Sequence, residues 1–194
     1  MELPLDPMHG TLGVAPAAGQ VFSSITPAAH GGNLDTPELR AGTTVYLGVN
    51  VPGAQLSLGD GHCRQGEGEV CGTAVEAAMR TVVVIDLVKG GGPAWPRLES
   101  DEFLMSTGSV RPLEDAYRVS QADLVGWAAQ LTGWDTLDAY QLVSQAGLAP
   151  VANVVDTNYT MVAKLAKRYL PGAGAFDGVH ARLRETGAAY LAQR

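Results

Sequence analysis

Cysteine is scarce in this chain of 194 residues: Cys63 and Cys71 are its only two, too few to staple a secreted scaffold. Both read as reduced thiols. Basic residues are also in short supply, with 13 Lys and Arg against 20 Asp and Glu and a formal charge of −7. That sign is wrong for neutralising nucleic-acid phosphates or docking on an anionic bilayer, so neither is an expected partner. No apolar run approaches the roughly 18 residues of a spanning helix. The opening Met1-Glu2-Leu3-Pro4 lacks the basic and apolar stretches of a signal peptide, and the expected address is cytoplasmic. What is present suffices for a packed core: 46% hydrophobic and 17% charged residues describe a globular chain rather than a disordered one.

Glycine and proline, 24 and 11 in number, crowd residues 1–72 and 90–96, so the first half should consist of strands joined by turns. Thr43 to Leu47 and Ala54 to Leu58 read as a hairpin about Pro52-Gly53. Glu69 to Glu76 continues the strand pattern. Arg80 to Lys89, with its run Thr81-Val82-Val83-Val84-Ile85, predicts a strand covered on both faces at the centre of a sheet.

Beyond Gly90-Gly91-Gly92-Pro93 the period lengthens. Leu113, Ala116, Tyr117, Ser120, Leu124, Trp127 and Leu131 recur at steps of three and four, predicting an amphipathic helix opened by Pro112. A second helix is expected over 136–146, with Asp135 as its cap, Gly147 as a left-handed terminator, and Tyr140 and Val143 facing inward. Short strands over 151–155 and 160–165 flank a turn at Asp156-Thr157-Asn158. A last helix over 178–192 carries a solvated His180. The pattern divides the chain into a β-rich portion, residues 1–92, and an α+β portion, residues 93–194, within one structural unit.

One segment concentrates chemistry. From Gly59 to Gly72 the sequence Gly-Asp-Gly-His-Cys-Arg-Gln-Gly-Glu-Gly-Glu-Val-Cys-Gly sets three carboxylates, an imidazole and two thiols among closely spaced glycines. Glycine permits the sharp backbone paths by which Asp60, His62, Glu67 and Glu69 converge. An EF-hand is excluded, because Arg64 and Gln65 fill the places of an oxygen ligand and the obligatory glycine. A dinucleotide fingerprint starting at Gly66 fails at Cys71, where glycine is required. Cys63 and Cys71 lack a second ligand pair at zinc-finger spacing, and no nucleophile elbow surrounds a serine. A carboxylate and imidazole site suited to Zn²⁺ or a similar divalent ion survives, with hydrolysis as its natural chemistry. The blander alternative is that Asp60 and His62 close a turn while Glu67 and Glu69 are solvated. His30-Gly31-Gly32 is either a surface loop or a source of amides for an anion, His9 reads as a half-buried strand-edge residue, and Cys71 as a small buried hydrophobe.

Gly59-Asp60-Gly61-His62 followed by Gln65-Gly66-Glu67-Gly68-Glu69-Val70-Cys71-Gly72-Thr73-Ala74-Val75-Glu76 resembles the signature of the acetamidase/formamidase family. His9-Gly10-Thr11-Leu12-Gly13-Val14-Ala15-Pro16, His30-Gly31-Gly32-Asn33-Leu34-Asp35, Gly42 to Leu47, Val51 to Ala54 and Val154 to Thr160 extend the resemblance from about residue 5 to residue 171. It implies a β-rich sandwich and barrel core with a C-terminal α+β portion of two to three helices, hence an α+β fold. It also implies hydrolysis of short linear amides, of the formamide or acetamide type, to acid and ammonia in a homo-oligomer, with a metal, zinc being the expected one. On the matching positions, Asp60 and His62 are expected to bind the ion and Glu69 or Glu67 to activate water. His30, Gly31, Gly32, Asn33 and Asp35 are expected to contact the substrate, with amides near His30 holding the oxyanion. The resemblance departs at Glu67, where the family usually has Asp, and at Cys63, where it has Ala. Family chains also carry a substantial portion before the segment matching Leu5 to Pro16, so this chain is expected to be short at its N-terminus. That gives an alternative function: a catalytically incomplete interaction subunit that pairs with a separate N-terminal half.

Overall fold

The computed structural model describes residues 1–172 and 174–193. Among these the fold is α+β, with strands in sheets of three and five and three α-helices. The smaller sheet runs β2 (Gly31–Asn33), β1 (Met8–Gly13), β4 (Ser57–His62), all antiparallel neighbours. The larger runs β3 (Thr44–Tyr46), β5 (Arg97–Glu99), β6 (Phe103–Val110), β8 (Tyr159–Ala166), β7 (Val151–Asn153). Because β3 pairs with β5, the portions before and after residue 92 share this sheet.

Strand alternation places two cores on the larger sheet. Leu104 and Leu165 point to one face, where they meet Leu124, Trp127 and Ala128 of α1 (Leu113–Thr132) and Val143 of α2 (Thr136–Ala146). Met105 and Val162 point to the other face and pack with Leu34, Leu39, Leu98 and Ala152. Burial on both faces fits the run Met161-Val162-Ala163 of β8, whereas β6, which the sequence pattern does not predict, buries Ser106, Thr107 and Ser109. Gly108 in β6 lets α1 lie directly against the sheet, since a Cβ there would strike the Ala116 carbonyl.

The helices follow their local signals, with corrections at the details. Asp135 caps α2 by accepting from the Leu137 amide at 2.8 Å. Gly147 ends that helix in an extended conformation (φ −71°), and the left-handed cap is Gly133 at the end of α1 (φ 71°). Val143 faces inward as expected, whereas Tyr140 is exposed. His180, expected in solvent, is buried in α3 (Val179–Leu191). Its Nδ1 meets Thr44 Oγ1 at 2.8 Å and its Nε2 meets Asp101 at 3.0 Å, fastening α3 to β3 and the β5–β6 turn.

Three strand expectations are overturned. Pro52-Gly53 does make a turn, closed by Ala54 N–H on Val51 O, yet the segments it joins go to different sheets: β3 to the larger and β4 to the smaller. Residues 69–76 form turns and one bridge to His62 instead of a strand, and Cys71 is exposed there. Residues 81–89 belong to neither sheet, and every residue from 80 to 92 is exposed. No helix among the described residues is long and apolar enough to cross a membrane.

Candidate functional site

The site forms where the two sheets meet. β4 delivers Asp60 and His62, and the loop after it is stitched to the edge of the larger sheet by Gly68, which donates to Val151 O at 2.8 Å and accepts from the Val154 amide at 3.1 Å. That stitch brings Glu69 inward. Asp35 arrives from the end of β2, its amide donating to Gly10 O on β1. Asp35, Asp60 and Glu69 all have positive φ (44°, 58° and 45°), a conformation that costs side-chain-bearing residues energy and clusters at functional sites.

His62 is the hub. It is 1% exposed, and its Nε2 lies 3.2 Å from Asp60 Oδ1 and 3.3 Å from Glu76 Oε2. Ligand atoms of Asp35, His62 and Glu69 lie within 4.8 Å of one another, as do those of Asp60, His62 and Glu76. Gly10 makes this crowding possible: a Cβ at that position would fall on the carboxylate oxygens of both Asp60 and Asp35.

Beneath Asp35 lies a closed amide network. Asn33 Nδ2 donates to Asp35 Oδ2 at 2.5 Å and Asp156 Oδ2 at 2.9 Å, and Asn153 Nδ2 donates to the same two atoms at 2.6 and 2.9 Å. Asn153 Oδ1 in turn accepts from the amides of Val155 and Asp156, and Thr11 Oγ1 donates to Asn33 Oδ1. Asp35 Oδ1 is buried with no hydrogen-bond partner in the structure. An orphaned carboxylate oxygen facing other carboxylates calls for a proton or a cation.

Electrostatics agree. Burial, then the charges of Glu69, Asp156 and Asp60, push the Asp35 carboxyl up to about 8, against the opposing hydrogen bond from Asn153. Burial also raises the Glu69 carboxyl, with Asp156, Asp60 and Glu76 adding to it and His62 opposing. Carboxyls that resist ionising in a shared pocket are the groups from which acid–base and cation sites are built.

The expected site residues thus separate. Asp60, His62, Glu69 and Asp35 come together, while Glu67 is exposed and lines a surface groove with Glu38, Pro150 and Lys164. Asn33 supports Asp35 from below. The Gly31 amide is engaged with Ala28 O at 3.0 Å, which removes it as an oxyanion donor, and Gly31 and Gly32 pair with Gly13 and Leu12 in the smaller sheet. His30 stacks on Phe22 (5.1 Å between centroids, 13° between planes) and joins neither acidic group. Its Nδ1 is buried without a hydrogen-bond partner, and burial lowers its pKa. Glu76, Asn153, Asp156 and Gln65 were not singled out by residue type. Only the quoted motif strings containing Gln65, Glu76 and Asp156 hinted at three of them.

Fold and site together define an α+β protein with a carboxylate–imidazole centre at a sheet junction, buried at His62 and Asp35 and open to solvent at Asp60 and Glu76. The chain matches the Acetamidase/Formamidase family over residues 5–166 and belongs to that family. It is similar to the crystal structure of an acetamidase from Yersinia enterocolitica (40% identity, TM-score 0.76, covering 87% of this chain and 51% of that one). An acetamidase structure from Bacillus halodurans compares at 32% identity and TM-score 0.78 over 90% of this chain and 59% of that one. A formamidase of Methylophilus methylotrophus is 40% identical over 77 residues, 39% of this chain and 19% of that protein. The chain therefore spans just over half the length of these solved relatives, and its match covers about a fifth of the formamidase.

Proposed function

We propose that the chain hydrolyses short linear amides, of the formamide and acetamide type, to a carboxylic acid and ammonia. The observation that carries this reading is the convergence of Asp35, Glu69, Asp60 and Glu76 on His62 in a chain of the Acetamidase/Formamidase family. The donor set, carboxylates with one imidazole, fits a divalent ion, and zinc is the one assigned here. Such an ion supplies polarisation of the amide carbonyl and a lowered pKa for water. Asp60 and His62 are assigned to hold it, with Glu76 completing that group, and Asp35 faces the same ring from the second group.

Glu69 is the assigned base. Its carboxylate, made more basic by burial, takes a proton as water adds its oxygen to the acyl carbon, and returns it to nitrogen as the C–N bond breaks. One water is consumed per amide, its oxygen and one hydrogen leaving in the acid and its other hydrogen in ammonia. His30, held neutral by burial, is the candidate for contacting the amide, since it lies just before β2 and Asn33. Glu67 has no part in this assignment. The two free thiols fit a reducing compartment such as the cytoplasm.

Ammonia release from formamide and acetamide, with and without added Zn²⁺, tests the proposal. The expected result is zinc-dependent release that disappears in His62→Ala. A folded chain that releases none under either condition contradicts it and favours a second reading, an interaction subunit that completes its site only with another polypeptide or another copy. The exposure of Val82, Val83, Val84, Ile85 and Leu87 supports that second reading, because apolar strand-forming surface of this length is ordinarily covered.

A further inference from the structure

We propose that Gln65 is a positioning residue that fixes the tautomer of His62, holding the proton on Nδ1 so that the Nε2 lone pair faces the carboxylates. The inference rests on the reading of this cluster as a cation site. Gln65 is buried (8% exposed), and its Nε2 donates to two backbone carbonyls, Asp35 O at 2.5 Å and Ala152 O at 3.1 Å. Neither carbonyl has a proton to give. Turning the amide over would set its oxygen against both of them, so the amide orientation is determined by the backbone around it.

The remaining atom, Gln65 Oε1, can only accept, and it lies 3.0 Å from His62 Nδ1. That ring nitrogen therefore carries the hydrogen. A neutral imidazole has one N–H, which leaves Nε2 as a bare lone pair 3.2 Å from Asp60 Oδ1 and 3.3 Å from Glu76 Oε2. Acceptors facing acceptors at that range call for a proton or a cation between them. Without Gln65 the ring would be drawn to the opposite tautomer, because Asp60 and Glu76 are good acceptors for an Nε2–H, and that hydrogen would cap the lone pair. Partners that orient a ligating histidine in this way commonly change metal affinity by about 10–100-fold.

The test reads the proton directly. Long-range ¹H–¹⁵N spectra of the metal-free chain, labelled at histidine and recorded at alkaline pH, report which nitrogen of His62 is protonated, with His62→Asn assigning the signals. Protonation at Nδ1 is expected. Protonation at Nε2 overturns the proposal whether or not the chain binds metal, and this measurement requires no Gln65 variant to fold. A ring protonated at Nδ1 in a chain that takes up no zinc supports the positioning role and overturns the cation reading instead. In Gln65→Leu the Nε2–H form should appear and Zn²⁺ affinity should fall about 10–100-fold. Zinc affinity and tautomer unchanged in a folded Gln65→Leu would contradict the assignment.

Discussion

Residues 57–76 and 77–92 are consecutive and both largely exposed, yet only the first buries side chains. The first stretch contains glycine, acids and a histidine, and it tucks His62, Gln65 and Glu69 under the junction of two sheets. The second contains Thr81-Val82-Val83-Val84-Ile85 and lies exposed outside both sheets. The polar stretch is held by specific partners: Gln65 to two carbonyls, Gly68 to β7, and Cys63 and Arg64 to Val75. The apolar stretch has composition in its favour and few such partners. Burial thus depends on what a segment meets as well as on its hydrophobicity.

The largest expected break in this contrast is chemical. Glu69→Gln removes the assigned base while keeping shape, and kcat for amide hydrolysis should fall about 10²–10⁴-fold with the fold intact by circular dichroism. A small change would shift the role elsewhere in the cluster.

Gly10→Ala should be next. The added Cβ displaces the Asp60 and Asp35 carboxylates, and overpacking of this kind costs about 1–3 kcal/mol. Denaturant unfolding measures the stability loss, and activity should fall with it.

Asp35 connects the site to pH. Its folded-state pKa, about 8, stands above the ordinary 3.8, so the metal-free folded chain holds this proton where the unfolded chain has lost it. The contribution to stability is fully present below about pH 4 and is lost as pH rises through about 8. Glu69 is shifted in the same direction. The melting temperature of the metal-free chain should therefore fall between those limits. In Asp35→Asn the slope should flatten and the protein at pH 8 should melt a few degrees higher, about 2–4 °C per kcal/mol for a domain of this size, while activity is lost. A melting temperature that rises with pH in the metal-free chain contradicts the account.

The smallest effect belongs to the second stretch. Val83→Lys with Ile85→Lys alters exposed side chains, so stability should change by less than about 0.5 kcal/mol. If the segment is an association surface, light scattering should show a smaller particle. A large stability loss would mean that this stretch packs more firmly than its exposure indicates.

Local features were readable from residues alone. Asp135 announces the start of α2 because capping is settled within a few residues, and β8 carries the apolar run of a doubly covered strand; β6, with Ser106, Thr107 and Ser109 along it, has no such run and goes unmarked in the sequence. The glycine-rich stretch around His62 also stood out, since few other reasons bring acids, imidazole and glycine together so densely. Partner choice was not readable. Pro52-Gly53 makes its turn, but whether the flanking strands pair with each other depends on β1 and β5, far away in sequence. Thr81–Ile85 has the pattern of a central strand wherever it lies. Glu67 and Glu69 look equivalent as text, and the positive φ at Glu69 together with the Gly68 stitch separates them. The amide network under Asp35 joins residues more than 100 positions apart, a distance that no local pattern records.

The central claim is that acids on Gly-rich and distant segments converge on His62 as one cation-holding centre. Calorimetric titration of Zn²⁺ into the metal-free chain and into His62→Ala tests it most directly. The account predicts saturable binding at one site per chain that is lost in the variant. Equal binding by both proteins, or none by the folded wild-type chain, would contradict it.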